Sequence, residues 1–432
     1  MAKREYKQQH PVWSYSANIY GVNVRQYTKE GTFNAFAEHL PRLRDMGVKI
    51  LWFMPITPIS EKDRLGTLGS YYSIKNYVEV NPEFGNLEDF KILVEKAHKL
   101  KFKVIVDYVA NHTGNDHHWI VEHPDYYCLD NEGNPIHPHG WTDVSQLNYD
   151  NADLRNAMIN VLKFWVEECN IDGYRCDMAH LVPLDFWIEA KNQLSLHSNL
   201  FWLAECEVPE YHKVFDATYT WRWMHASEEF YQDRMNLQSL VTVLYKSVTE
   251  FPCNAFRTYF TSNHDENSWN GTEYEKYGDA ALLFAVFSCT WNGIPMLYSG
   301  QELPNKKRLK FFEKDEIEWT GDFELQSFYK ILLSLKSSNK SLRAGDPEVL
   351  TKIVSHPDDH EIFSYLRKHD EDQVLIVLNC CNISKDFEVK AVPGVFRNVF
   401  GGPDINFEDN KIIHLDAWGY LVFEKINIHS YE

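Results

Sequence analysis

Ile171-Asp-Gly-Tyr-Arg-Cys-Asp-Met-Ala-His180 follows an apolar helical pattern, Ala152 to Val166, and reads as a short strand with Arg175 and Asp177 at its end. Side chains two apart on a strand share a face. A carboxylate beside a permanently charged guanidinium is expected to have its pKa drawn down and to stay ionised, available for attack or for stabilising positive charge. Alone, such a pair is more often a structural ion bridge, so the flanking pattern must decide.

Outward from this stretch the same alternation recurs. Further strands are expected near 17–27, 49–55 and 104–107, and then near 200–205, 214–219, 256–262 and 295–299. Lys49 to Pro55 is almost continuously apolar, as suits a parallel strand buried on both faces. Helical patterns lie between the strands, at 152–168, 184–194, 237–249, 279–291 and 325–336. Asn86 caps a helix with Phe90, Leu93, Val94 and Ala97 inward. Thr32 caps another, with Phe33, Phe36, Leu40 and Leu43 on its apolar face and Gly47 at its end. Pro41 implies a kink or a late start there. Eight strands with helical crossovers predict an α/β protein built on a closed (β/α)8 TIM barrel. No glycine-rich dinucleotide fingerprint or phosphate loop interrupts it.

Two segments break the alternation. The polar run from Thr113 to Asn148 reads as a subdomain inserted after strand three. After Ser341 the period changes to two, with short runs at 349–354, 361–368, 374–379, 387–389, 412–415 and 419–424. These predict a C-terminal antiparallel β-sandwich. The expected division is a barrel of 1–112 and 149–342, an insert of 113–148 and a C-terminal domain of 343–432.

Composition narrows the function. A net charge of -19 on 432 residues argues against nucleic acid and anionic membrane as partners and favours a neutral ligand. The eight cysteines are scattered without metal-type spacing and read as reduced thiols. The first ten residues lack a hydrophobic run, and no later stretch approaches the ~18 apolar residues of a membrane span. A cytoplasmic protein is expected. Aromatic residues make up 15% of the chain, enough for sugar-stacking surfaces as well as core.

In barrels of this kind the chemistry gathers at the strand ends. Those ends here read Asp107-Tyr-Val-Ala-Asn111-His112, Arg175-Cys-Asp177, Leu203-Ala-Glu205-Cys-Glu207 and Ser262-Asn-His264-Asp265. Cleavage of a glycosidic bond needs one carboxylate as an anion beneath the anomeric carbon and a second that keeps a proton for the departing oxygen. Asp177 suits the first role. Glu205, preceded by Leu203 and Ala204 and facing a second anion, suits the other. Asp265, His264 and His112 are placed to hold sugar hydroxyls and to stabilise an oxocarbenium-like transition state.

Those four motifs, in that order, resemble the signature regions of the α-amylase family, glycoside hydrolase family 13. The similarity extends to Gly47–Pro55 and to Gly293-Ile-Pro through Gly300-Gln-Glu302. The resemblance implies a retaining hydrolase of α-glucans or maltooligosaccharides, with Asp177 as nucleophile, Glu205 as acid/base and Asp265 as transition-state stabiliser. Retention implies carboxyls of Asp177 and Glu205 roughly 5 to 5.5 Å apart. By the same resemblance Asp107 braces Arg175, His112 and His264 contact the sugar being cleaved, and Tyr72 stacks on it. His180 stands where many members have a lysine touching the acceptor sugar. Asn111 matches one ligand of the family's bridging calcium, but Gln146 stands where an acidic ligand is expected, so no tight calcium is predicted. A transglycosylase or sugar-isomerising member, such as a trehalose synthase-like enzyme or an α-glucosidase, would share every one of these residues. A non-catalytic glucan-binding relative should have lost a carboxylate, and none is missing.

Overall fold

A computed structural model describes residues 9–197, 199–355, 359–390, 392–408 and 410–426. The outer ends of the first and last expected domains therefore lie outside the described residues. Eight parallel strands form the barrel: β1 Ile19–Val22, β2 Ile50–Phe53, β3 Lys103–Val109, β4 Gly173–Asp177, β5 Phe201–Ala204, β6 Ala217–Tyr219, β7 Phe256–Tyr259 and β8 Ile294–Tyr298. Each pairs with its neighbour in sequence, and β8 closes on β1 through Ile19 and Met296. All eight lie where the periodicity places them. The exception is the end of β3, which runs two residues past Asp107, so that this carboxylate sits inside the barrel mouth rather than at its lip.

Local chemistry sets the crossovers. Asn86 accepts from the Asp89 amide, and Asp89 returns the bond to the Asn86 amide, a reciprocal cap on helix Leu87–Lys99. The apolar run after Thr32 is two helices, Phe33–Ala37 and Leu40–Met46, because Pro41 is tolerated only in a first turn. At Gly173 a Cβ would lie 2.0 Å from the Phe201 carbonyl oxygen, at a φ of 151°. Only glycine permits β4 to approach β5 so closely. Periodicity did not reveal helix Trp221–Tyr231, which is rich in aromatics on several faces.

The insert is tied down by an antiparallel ribbon of His112–Gly114 with Val144–Gln146. Beyond the barrel, β9 Leu350–Ile353, β10 Ile362–His369, β11 Asp372–Asn379, β12 Lys385–Val389, β13 Val395–Asn398, β14 Ile405–Asn406, β15 Lys411–Leu415 and β16 Tyr420–Lys425 build two antiparallel layers. Six strands form one sheet in the order β9-β10-β11-β16-β13-β14, and β12 pairs with β15. The short β13 and β14 carry too few alternating residues to be read from sequence. Phe363, Tyr365, Val374, Ile376, Leu378 and Val422 join the barrel core. Ile362, Leu375, Val377 and Phe423 face the other way, onto Phe387, Val389, Ile413 and Leu415 of the second layer. One sheet thus seals the barrel's flank and its own sandwich, by simple period two. Among the described residues no helix is long and apolar enough to cross a membrane.

The ends of β7 and β8 are locked together behind the barrel mouth. Glu273 accepts from the Thr261 hydroxyl at 2.8 Å and from the Gln301 amide at 2.6 Å. Burial raises the Glu273 carboxyl to about 7 against these two donors. The folded chain therefore keeps a proton that the unfolded chain loses near the ordinary value. Its contribution is full at acid pH and falls as pH rises from about 4.5 to about 7, costing on the order of 3 kcal/mol above that window. Glu273→Gln should flatten this part of the melting temperature against pH profile, with the variant at least as stable as the parent at pH ~8.

Candidate active site

Arg175 organises the mouth of the barrel. Its side chain is 0% exposed, pointing inward from β4, while its neighbours Tyr174 and Cys176 point outward to the helical layer. Strand register sets Arg175 beside Asp107 of β3 and Cys176 beside Ala204 of β5, so the next residues along, Asp177 and Glu205, become neighbours. Arg175 Nη1 donates to Asp107 Oδ1 at 2.9 Å and to Asp177 Oδ1 at 2.8 Å. Its Nη2 lies 2.8 Å from Glu205 Oε2. One guanidinium thus meets three carboxyl groups, and the rings of Trp52, Tyr72 and Tyr219 lie within 5.8 Å of its carbon.

Three carboxyls on one cation, out of water, cannot all ionise cheaply. Burial raises Asp107 to about 7 and also raises Asp177 and Glu205, Arg175 opposing each rise. The depressed value expected for Asp177 from Arg175 alone is thus corrected: burial outweighs the ion pair. The difference within the pair survives, however. The neighbouring Asp177 adds to the rise at Glu205, through its charge and its contact, whereas Glu205 opposes the rise at Asp177.

Both carboxyls are drawn inward because they share one guanidinium. Glu205 is further aimed by the Met178 amide, which donates to Oε2 at 2.9 Å. Met178 adopts a left-handed conformation (φ 40°, ψ 44°) to do so, a costly geometry for a residue with a side chain.

The remaining predicted residues fall into two groups. Tyr72, on the loop after β2, donates to Asp107 Oδ2 at 3.0 Å and meets His264 Nε2 at 2.8 Å. His264 in turn lies 3.3 Å from Asp265 Oδ2. Burial holds His264 well below the ordinary imidazole range and His112 at about 4, so both are neutral rings at physiological pH. Asp265 keeps 36% of its side chain open to the cleft. Burial of its other face and then the charges of Glu205 and Asp177 raise it, with Arg175 opposing. His180 stands apart, exposed on the turn Ala179–Leu181 after β4. Glu207 is not in the site; it pairs with Arg257 at 2.6 Å.

Across the ribbon Gln146 is the partner of His112, and Asn111, one residue earlier, instead accepts from the Leu147 amide at 3.1 Å. Asn111 and Gln146 bring two neutral amides, and Asn111 Nδ2 lies 3.3 Å from His112 Nδ1. That is not the charged oxygen cage a calcium ion requires. Among the described residues the one group of three acidic or imidazole side chains close enough to share an ion is Asp346, Glu348 and His369, at the join to the C-terminal domain.

Sequence reasoning missed Trp52, whose Nε1 donates to Asp107 Oδ2 at 3.0 Å. It missed Tyr219 and the Met178 amide too. Trp52 and Tyr219 read as ordinary apolar strand residues, and a backbone amide has no signature in sequence.

A (β/α)8 barrel whose mouth holds two carboxyls on one buried arginine is that of a glycoside hydrolase. Residues 15–143 and 139–344 match the profile of the alpha amylase catalytic domain. The chain belongs to the α-amylase family, glycoside hydrolase family 13. It is 27% identical to alpha-amylase MalA of Haloarcula japonica over 88% of this chain and 57% of that protein. It is 24% identical to alpha-amylase 3 of Dictyoglomus thermophilum over 93% of this chain and 92% of that one. Among solved structures, the maltogenic alpha-amylase AmyB of Thermotoga neapolitana superposes with a TM-score of 0.88 at 27% identity, covering 96% of this chain and 99% of its own. An alpha-amylase of Lactobacillus plantarum gives 0.85 at 29%, covering 96% and 100%.

The left-handed Met178 makes a specific expectation. Met178→Gly should keep the fold and most of the turnover, whereas Met178→Val, whose branched side chain resists this backbone, should lose roughly tenfold or more in kcat. Steady-state kinetics with circular dichroism as a folding control would check it.

Proposed function

We propose that this protein is a retaining hydrolase that cleaves α-1,4-glucosidic bonds in maltooligosaccharides or other α-glucans. The observation that carries the reading is the convergence of the Asp177 and Glu205 carboxyls on one buried guanidinium, Asp177 Oδ1 2.8 Å from Nη1 and Glu205 Oε2 2.8 Å from Nη2; the proton is assigned to Glu205. The amylase relatives support an α-glucan as the substrate.

In this reading Glu205 gives its proton to the glycosidic oxygen as that bond breaks, and Asp177 attacks the anomeric carbon to form a glycosyl ester. The departing sugar takes the proton. Glu205, now an anion stabilised by Arg175 and the Met178 amide, takes a proton from water as the water's oxygen attacks the same carbon. Asp177 is released and Glu205 is protonated again. Asp265 holds hydroxyls of the distorted sugar, while neutral His112 and His264 hydrogen-bond to it without adding charge. Tyr72 offers its ring to the sugar and fixes His264 and Asp107 through its hydroxyl. Arg175 and Asp107 position the pair. His180, on the rim after β4, contacts the departing or accepting sugar. No tight calcium is required.

Asp177→Asn and Glu205→Gln should each lower kcat on maltoheptaose by ~1,000-fold or more with the melting temperature retained. Glu205→Gln should retain far more turnover on a maltosyl fluoride, whose leaving group needs no proton; equal losses on both substrates would refute its role as the acid. Early product examined by proton NMR should be the α-anomer. Dialysis against a chelator should leave activity and melting temperature unchanged.

A further inference from the structure

We infer that the reacting centre is a pocket closed on its glycone side, so that the enzyme cuts from the non-reducing ends of α-glucan chains rather than within them. This rests on the hydrolase reading above and adds the part of the substrate that enters.

The direction of the chain follows from the placement of the acid. Glu205 stands at the end of β5, so the departing sugar lies over β4 and β5, where His180 is exposed. In a pyranose, C4 is across the ring from C1. A glucose linked to that O4 must therefore extend away from Glu205, over the far side of the barrel. In an eight-membered ring of strands the one opposite β5 is β1.

On that side three loops are bound into a strap. Arg25 and Gln26, adjacent on the turn after β1 and both buried, reach in different directions. Arg25 donates to the carbonyls of Gly69 at 3.1 Å and Leu68 at 3.4 Å, on the loop after β2. Gln26 donates to the carbonyls of Lys310 at 2.8 Å and Glu313 at 3.3 Å, on the loop after β8. These two loops also bond directly to each other. The Leu68 amide donates to the Phe312 carbonyl at 3.1 Å, and the Thr67 amide to Glu313 Oε1 at 3.0 Å, with the Thr67 hydroxyl on the same carboxylate.

At Gly66 the loops after β2 and β8 touch. Gly66 has a φ of 65°, and a Cβ there would lie 2.5 Å from the Phe312 Cβ. The strap also abuts the residues assigned to the sugar. The Phe311 ring stacks on Tyr71 with centroids 4.7 Å apart and lies 6.3 Å from Tyr72 and 6.2 Å from His264. An internal cut needs a groove open at both ends, and this one ends at the strap.

The test uses nitrophenyl maltoheptaoside with its non-reducing glucose free or blocked by an ethylidene group. The free substrate should be cleaved to one short product of fixed length from the earliest times. The blocked one should react roughly 100-fold more slowly. The double variant Gln26→Ala, Glu313→Ala, which frees the strap without touching the catalytic groups, should raise the blocked-to-free ratio by about tenfold or more. Equal rates on both substrates, with mixed product lengths from the start, would overturn the pocket while leaving the hydrolase reading intact. An unchanged ratio in a folded double variant would overturn the strap as its cause. Cleavage of neither substrate would overturn the hydrolase reading itself, and the pocket with it.

Discussion

The site depends on one buried positive charge. Arg175 has no contact with solvent, and a guanidinium in that position is tolerable only if anions surround it. Asp107, Asp177 and Glu205 do so, but three carboxyls over-neutralise one cation. The excess is relieved by retained protons, and their distribution is set by geometry. Asp177 takes one guanidinium nitrogen, whereas Glu205 takes the other and the Met178 amide as well. Two chemically similar acids thereby meet different surroundings, and acid-assisted nucleophilic displacement requires such a difference.

The barrel makes that geometry durable. Asp107, Asp177 and Glu205 lie on or just beyond three successive strands, held in register by main-chain bonds, and Gly173 lets β4 lie close enough to β5 for their ends to meet. Trp52 and Tyr72 close over the arginine and donate to Asp107. Removing water from around the pair strengthens every interaction within it, at the cost of burying charge. The C-terminal sheet contributes at a distance, covering the barrel's flank with one face and its own second layer with the other.

Much of this was legible in the chain. The alternation of apolar runs located all eight barrel strands, and the polar residues at the ends of β3, β4, β5 and β7 named the carboxylates and histidines. Periodicity works here because parallel strands buried on both faces are apolar throughout, so a polar residue at the end of one stands out. The signal weakens where burial is not periodic. Helix Trp221–Tyr231 and the short strands Val395–Asn398 and Ile405–Asn406 gave no pattern, and the break at Pro41 had two possible outcomes until packing chose a new helix start.

The sequence by itself determined the barrel, the family and the acidic residues at its mouth, because each is written in residue type and local spacing. The tertiary structure alone decided that three carboxyls share one guanidinium, that burial overrides the arginine at Asp177, and that loops after β1, β2 and β8 join beside the site. Those outcomes depend on desolvation and on contacts between residues as far apart as Thr67 and Glu313, and local spacing along the chain encodes neither.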